Sequence, residues 1–119
     1  MTGQAAQGLR LASVRPATAA DTTAFTAFID TEITRLFICN TSALARTFRL
    51  FHVPAGGAAG LDNALFYDKA VAANDVFNLA SDAPNSGIQL KPGDTLGVRS
   101  SNANDLAFQV YGVTGRVAG

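Results

Sequence analysis

The sequence predicts an all-β protein, an antiparallel β-sandwich of jelly-roll-like or immunoglobulin-like type. Apolar and polar residues alternate with a period of two along much of the chain, as the side chains on one face of a strand do. Turn-forming residues recur about every 8 to 12 positions, which is typical of sandwiches and jelly rolls. With 119 residues, the chain has room for one domain with one core. Alanine is abundant, but a clear period of two outweighs its preference for helices.

The clearest turn lies within residues 90–98, LKPGDTLGV. Pro92 presets φ at the first turn position, and Gly93 supplies the positive φ that the next position often needs. Leu96 and Val98 then fall on one face of the following segment. This segment therefore predicts a strand, a tight turn and a second strand.

The alternation predicts eight or nine short strands and no long helix. They cover residues 9–14, 23–29, 33–40, 46–53, 64–71, 76–79, 88–90, 95–99 and 106–113. In the second of them, Phe25 and Phe28 are expected on opposite faces. Loops are predicted between the strands, including a flexible glycine-rich loop at residues 54–60 and another loop at residues 81–87.

The strongest strand signal is residues 33–40. Leu36 and Ile38 share one face of this strand, while Phe37 and Cys39 share the other. Apolar residues on both faces indicate a central strand. The turn signal at residues 40–43 and the alternating segment 46–53 that follows predict a hairpin.

Residues 46–53 place Phe48 and Leu50 on one face, with Arg49 and Phe51 on the other. His52 lies near the end of this strand and faces the same way as Phe48 and Leu50. We therefore expect a structural histidine at a strand end.

The domain organisation is simple. Residues 1–7 have no periodicity, so we expect a flexible N-terminal arm, followed by a single β-sandwich domain over residues 8–119. The polar start of the chain lacks the apolar segment of a secretory signal, and no apolar stretch has the length of a membrane span. We expect synthesis in the host cytoplasm and no membrane partner.

The charge composition argues against some functions and favours self-association. Nine basic and nine acidic residues cancel, and neither sign forms a run, so we expect no nucleic-acid partner. Charged residues make up 15% of the chain, whereas about a quarter is usual. Because a small domain has much surface for its volume, this shortage of charge favours a surface partly covered by neighbouring copies.

No catalytic, cofactor or metal site is predicted. His52 and Cys39 are the single histidine and the single cysteine, which excludes a Cys-His zinc site. Neither has an identifiable catalytic partner, and Cys39 lies in an apolar run, where we expect a buried thiol. Glu32 is the single glutamate, and nothing places it across a groove from an aspartate, as glycoside hydrolysis requires.

Three further features have structural explanations. Five aspartates in or near predicted loops match no calcium-binding spacing, and we expect them to form turn and strand-end hydrogen bonds. They are Asp62, Asp68, Asp75, Asp82 and Asp94. The loop at residues 54–60 lacks the Lys-Ser/Thr and helix of a phosphate-binding loop. The phenylalanines are spread over many strands, so core packing explains most of them. They are Phe25, Phe28, Phe37, Phe48, Phe51, Phe66, Phe77 and Phe108.

The order and spacing of seven segments resemble a group of small structural proteins of tailed bacteriophages and prophages. The segments are LASVRP (11–16), ITRLFICNTS (33–42), FRLFH (48–52), ALFYD (64–68), AAND (72–75), LKPGDTL (90–96) and FQVYGV (108–113). The resemblance covers most of the chain from residue 9 onward.

This resemblance implies a virion component without catalytic residues. We expect a non-enzymatic capsid decoration or fibre protein that forms a homo-oligomer, a trimer, and contacts other virion proteins such as the major capsid protein or tail proteins. A tail or baseplate component is the alternative placement. A second alternative is a carbohydrate- or receptor-binding module that acts through loops 54–62 or 81–86.

Overall fold

The computed structural model describes residues 9–80 and 87–115. These residues form an all-β sandwich of two antiparallel sheets. The strands are β1 (Leu9–Val14), β2 (Thr22–Thr26), β3 (Thr31–Asn40), β4 (Arg46–Val53), β5 (Ala64–Val71), β6 (Val76–Ala80), β7 (Ile88–Leu90), β8 (Thr95–Ser100) and β9 (Leu106–Thr114). A short 3-10 helix, Leu61–Asn63, precedes β5. The predicted arm at residues 1–7 and the loop segment 81–86 lie outside the described residues.

Sheet I has the strand order β1-β9-β3-β6, with β7 also paired to β3, and sheet II has the order β2-β8-β4-β5. The partners follow a simple rule: β1 pairs with β9, β2 with β8, β3 with β6 and β7, and β4 with β5. The chain therefore folds back on itself as one long antiparallel ribbon that rolls into two layers. This arrangement is a jelly roll, one of the two sandwich types that the sequence predicts.

The core lies between the sheets and is built by alternate residues of the central strands. Leu36 and Ile38 of β3 are fully buried, as predicted, and Leu96 and Val98 of β8 meet them from sheet II. The Phe48 ring lies close to Phe66, Phe77 and Phe108, with centroid distances of 5.8, 5.3 and 6.2 Å. As its two-sided apolarity predicts, β3 is a central strand, between β9 on one side and β6 and β7 on the other.

The predicted hairpin between residues 33–40 and 46–53 is wrong. β3 belongs to sheet I and β4 to sheet II, so the connection crosses from one layer to the other. The buried Asn40 side chain holds this corner. Its Nδ2 donates to the carbonyl oxygens of Leu44, Val71 and Ala72, and its Oδ1 accepts from the Ser42 amide and hydroxyl. The alternation specifies which side chains point inward, but not which sheet a strand joins.

The Pro-Gly-Asp turn also crosses between the sheets, from β7 to β8. Gly93 has the positive φ that the sequence predicts, at 91°, and the Asp94 amide donates to the Lys91 carbonyl over 2.9 Å. This turn shortens β2. Two residues of the turn form hydrogen bonds with Ala27. The Ala27 amide donates to the Asp94 carbonyl, and the Ala27 carbonyl accepts from the Gly93 amide. β2 therefore ends at Thr26, three residues before the predicted end, and Phe28 lies in a loop.

One end of the sandwich, here called the terminal end, holds the first residue of β1 and the last of β9. The β2–β3 loop, the β7–β8 turn and the start of the β4–β5 connection lie there as well. Within residues 9–80 and 87–115, no helix has the length and apolarity needed to cross a membrane.

Candidate functional site

The outer face of sheet II carries a row of four charged side chains, here called the charged row: Asp68, Arg49, Arg99 and Asp21. Arg49 and Arg99 are direct partners across β4 and β8. Both point away from the core, because Phe48, Leu50 and Val98 beside them are core residues. Like charges directly opposite each other repel, and an aspartate on each side offsets that repulsion.

A β-bulge brings two side chains of β5 to Arg49. Phe48 pairs with Lys69 and Leu50 with Phe66, so Tyr67 and Asp68 both lie opposite Arg49. Asp68 adopts a φ of 53° at this bulge, a left-handed conformation that aspartate tolerates better than most residues.

Both bulge residues contact the Arg49 guanidinium. Its Nε donates to Asp68 Oδ1 over 2.8 Å and its Nη2 to Oδ2 over 3.4 Å, while its Cζ lies 4.0 Å from the centre of the Tyr67 ring. The hydrogen bond from Arg49 holds the pKa of the Asp68 carboxyl below its ordinary value, and the same bond raises the pKa of Arg49. Arg49 is thus fixed from two sides.

The second arginine of the row is held more loosely. Arg99 Nη1 donates to Asp21 Oδ1 over 3.4 Å, and within the described residues this is its one hydrogen bond. A guanidinium has five N–H donors, so most of those on Arg99 remain for solvent or a ligand. Both side chains of this pair are more than a third exposed.

Two cavities lie along the outer side of β8. The first, about 170 Å³, is bordered by Arg49, Arg99, Asp68 and Ser101. The second, about 260 Å³, is bordered by Asp21, Val53, Thr95 and Gly97 and by Gly57, Ala58 and Ala59 of the β4–β5 connection. The Arg99–Asp21 pair connects them, since Arg99 lines the first and Asp21 the second. We call this surface the β8 groove.

The wall of the second cavity is the loop that the sequence predicts to be flexible. The structure shows it held by hydrogen bonds: Gly57 N to the Pro54 carbonyl, Gly60 N to Asn63 Oδ1, and Asn63 Nδ2 to the Ala58 carbonyl, at 2.9 to 3.0 Å. No motif in the sequence indicates this role of Asn63, whose side chain reaches back along its own loop.

His52 lies at the end of β4, where the sequence predicts it. Its Nε2 is 3.0 Å from Asp94 Oδ2, and Asp94 also accepts from the amides of Lys91 and Ala55 at 3.0 Å each. The hydrogen bond with His52 is the main cause that lowers the pKa of Asp94, and the two backbone amides act in the same direction. This cluster ties the β7–β8 turn to the end of β4.

The other residues considered for catalysis or metal binding lie apart from one another. Glu32 is buried in β3, and its Oε2 accepts from the Gly87 amide over 3.0 Å. Cys39 is half-buried rather than buried, because it lies on the outer face of sheet I. Asp62 and Asp75 are exposed, Asp68 lies within β5 rather than in a loop, and Asp82 is outside the described residues. Nowhere in residues 9–80 and 87–115 do three metal-ligating side chains come together.

The phenylalanines differ in how deeply they are buried. Phe48, Phe51 and Phe108 are buried, and Phe25, Phe66 and Phe77 pack against the core. Phe37 is half-buried on the outer face of sheet I, with its ring 5.8 Å from that of Tyr111. Phe28 differs from all of these, because 86% of it is exposed.

The terminal end carries several exposed apolar side chains, Phe28 among them, here together called the exposed apolar region. The neighbouring Ile29 is 50% exposed, and Leu9, at the start of β1, is 58% exposed. The loop that carries Phe28 is fixed by the two backbone bonds of Ala27 and by Thr31 Oγ1, which donates to the Ile29 carbonyl over 2.9 Å. The period-two pattern alone gave no sign of this exposure, because it continued through Phe28.

The sequence matches no known protein-family model, and no curated protein is significantly similar to it.

Proposed function

We propose that this protein is a non-enzymatic structural subunit of a tailed-phage virion, a capsid decoration or fibre protein that assembles as a trimer. The observation that carries the self-association is the exposed apolar region at the terminal end. Phe28 projects from a loop fixed by backbone hydrogen bonds, so little conformational freedom is lost when a partner covers it.

The energetics favour covering this region. Burying one large apolar side chain is worth about 1.5 to 3 kcal/mol, and Phe28, Ile29 and Leu9 lie at the same end of the sandwich. The shortage of charge in the chain points the same way, since charged residues are depleted in the centres of interfaces.

Two lines of reasoning support the placement on a virion. One is the resemblance of the seven sequence segments to phage structural proteins. The other is the jelly-roll order of the strands, an architecture that viral capsid proteins use; this is a fold-level analogy. A tail or baseplate position is the alternative placement, and gold labelling of intact particles distinguishes it from the head.

Self-association is tested by light scattering coupled to size-exclusion chromatography. The wild type is expected to run as a trimer and Phe28→Ser as a monomer. Leu44→Ser is the matched control, because Leu44 is 61% exposed but lies in the β3–β4 connection at the opposite end. A monomeric wild type at high concentration, or equal effects of the two variants, would overturn the proposed interface.

Virion placement is tested separately by electron microscopy. Particles assembled from the genome that encodes this chain, with its gene deleted, are mixed with the purified protein. Added density on the head or a fibre supports the proposal. Particles that do not bind the wild-type oligomer contradict it, whatever the outcome of the light-scattering measurement.

A further inference from the structure

We propose that the β8 groove binds a neutral glycan chain, an activity distinct from the structural role above. The groove offers hydrogen-bonding groups of both kinds. The Arg99 guanidinium donates, the Asp21 carboxylate accepts, and the Thr95 hydroxyl does both. Hydroxyl-rich ligands require this mixture, because each hydroxyl both donates and accepts.

The charge of the groove favours a neutral ligand. The charged row holds two guanidiniums and two carboxylates, each arginine paired with one aspartate. An anionic ligand at the arginines would also face the carboxylates of Asp68 and Asp21, so the charged row offers it no net attraction. Two neighbouring hydroxyls of a sugar can instead accept from Arg99 and donate to Asp21 at the same time, which leaves the balance of charge intact.

The sizes of the two separate cavities favour a ligand that is a chain of small linked units. The two cavities hold about 170 and 260 Å³, each below the roughly 300 to 1,000 Å³ of a site for a drug-sized molecule. Each is large enough for one sugar ring. Outward positions along a strand are about 7 Å apart, so Arg99 in the first cavity and Gly97 in the second lie within the span of adjacent sugar units.

Gly97 gives an independent indication that the groove is kept open. A Cβ placed on it would lie 3.6 Å from Phe51 Cβ and 3.7 Å from Val53 Cγ2, which are ordinary contacts, and its φ is not in the positive range. Neither packing nor backbone conformation therefore requires glycine at this position. Glycine weakens a strand interior, and it often marks a place where a ligand approaches the backbone closely.

Single-site affinity should be weak. One face of the Tyr67 ring is covered by the Arg49 guanidinium, and the ring borders neither cavity, so ring stacking is not part of the proposed binding. Polar contacts on an open face replace contacts with water and contribute modestly on balance. We expect millimolar dissociation constants for a short oligosaccharide.

The test is an amide chemical-shift titration of the ¹⁵N-labelled protein with maltohexaose, cellohexaose, mannohexaose and chitohexaose, with hexagalacturonate as the anionic comparison. At least one neutral probe is expected to shift the amides of Thr95, Gly97 and Arg99. Gly97→Leu, which fills the second cavity, and Arg99→Gln, which removes the charged donor, should each weaken that binding about tenfold or more.

The matched control is Arg35→Gln, since Arg35 is an exposed arginine on sheet I. The affinity of this variant for the neutral probe should equal that of the wild type. Arg99→Gln is a surface change and keeps the test valid if Gly97→Leu fails to fold. The proposal is overturned if no neutral probe shifts the groove amides, if binding survives Arg99→Gln unchanged, or if hexagalacturonate binds the groove more tightly than every neutral probe.

Discussion

Replacing Asp94 by asparagine should destabilise the protein and remove part of its dependence on pH. Asp94 is 9% exposed, and its two oxygens accept from His52 Nε2 and from the amides of Lys91 and Ala55. Asparagine keeps the shape, but it replaces one accepting oxygen by an NH₂ donor. At least one backbone amide or the His52 nitrogen then faces a donor and loses its partner.

The magnitude follows from these bonds. Hydrogen bonds to a charged group contribute about 1.5 to 3 kcal/mol, and a buried donor left without a partner costs about 1 to 3 kcal/mol. Because the three bonds share one carboxylate, their contributions do not simply add. We expect a loss of about 2 to 3 kcal/mol, which lowers the melting temperature of a domain of this size by about 8 to 12 °C.

The pH dependence has a definite sign. The pKa of Asp94 is lowered in the folded protein, so the unfolded chain binds a proton more readily. The stabilisation is therefore fully present above the unfolded pKa of about 3.9 and is lost as the pH falls through the lower folded value. The difference in unfolding free energy between wild type and Asp94→Asn should shrink below about pH 4.

Urea denaturation at pH 7, 5, 4 and 3 measures this difference. Asp62→Asn is the control, because the exposed Asp62 carboxylate makes no hydrogen bond within the described residues. Asp68 also has a lowered pKa, but it is present in all three proteins and cancels in the comparison. Equal stabilities of Asp94→Asn and the control, or a difference that stays constant down to pH 3, would refute this reasoning.

Three further changes test the fold itself. Ile38→Ala, at a fully buried position of β3, should cost about 2 to 5 kcal/mol in urea unfolding; a loss near zero would contradict the core assignment. Asn40→Ala removes the five hydrogen bonds that the Asn40 side chain makes at the β3–β4 corner and should cost about 2 to 4 kcal/mol, whereas Thr41→Ala beside it, with one exposed side-chain bond, should cost under about 1 kcal/mol. Gly112→Ala would place a Cβ 2.2 Å from the Glu32 carbonyl oxygen, so thermal melting should show a large loss; a melting temperature within about 2 °C of the wild type would contradict that close approach.

The local features of the fold could be predicted from the sequence because they depend on neighbouring residues. The alternation through Leu36, Phe37 and Ile38 determines which side chains of β3 point inward, and the Pro-Gly pair determines the φ of Gly93. The end of β2 depends instead on hydrogen bonds with Gly93 and Asp94, far away in sequence. A local pattern cannot contain that information, so the predicted strand continued to residue 29.

The candidate site shows the same difference between local features, which could be predicted from the sequence, and contacts between distant segments, which could not. Arg49 was predicted to face away from Phe48 and Leu50, and it does. Its pairing with Arg99 depends on the register of β4 against β8, which the sequence does not state. The bulge at Asp68 had a faint local signal, since the alternation of Leu65, Phe66 and Tyr67 stops there.

The two proposed surfaces lie near the same end of the jelly roll, and their proximity affects how each would work. Phe28 lies at the terminal end, and the second cavity of the β8 groove, bordered by Val53, Thr95 and the start of the β4–β5 connection, reaches that end. A trimer formed through Phe28 would carry three grooves. Linked sites can set the effective concentration of the second binding event at about millimolar. Because this equals the dissociation constant expected for one groove, each added groove would strengthen binding only about twofold, so tight binding of a polysaccharide would require many linked copies.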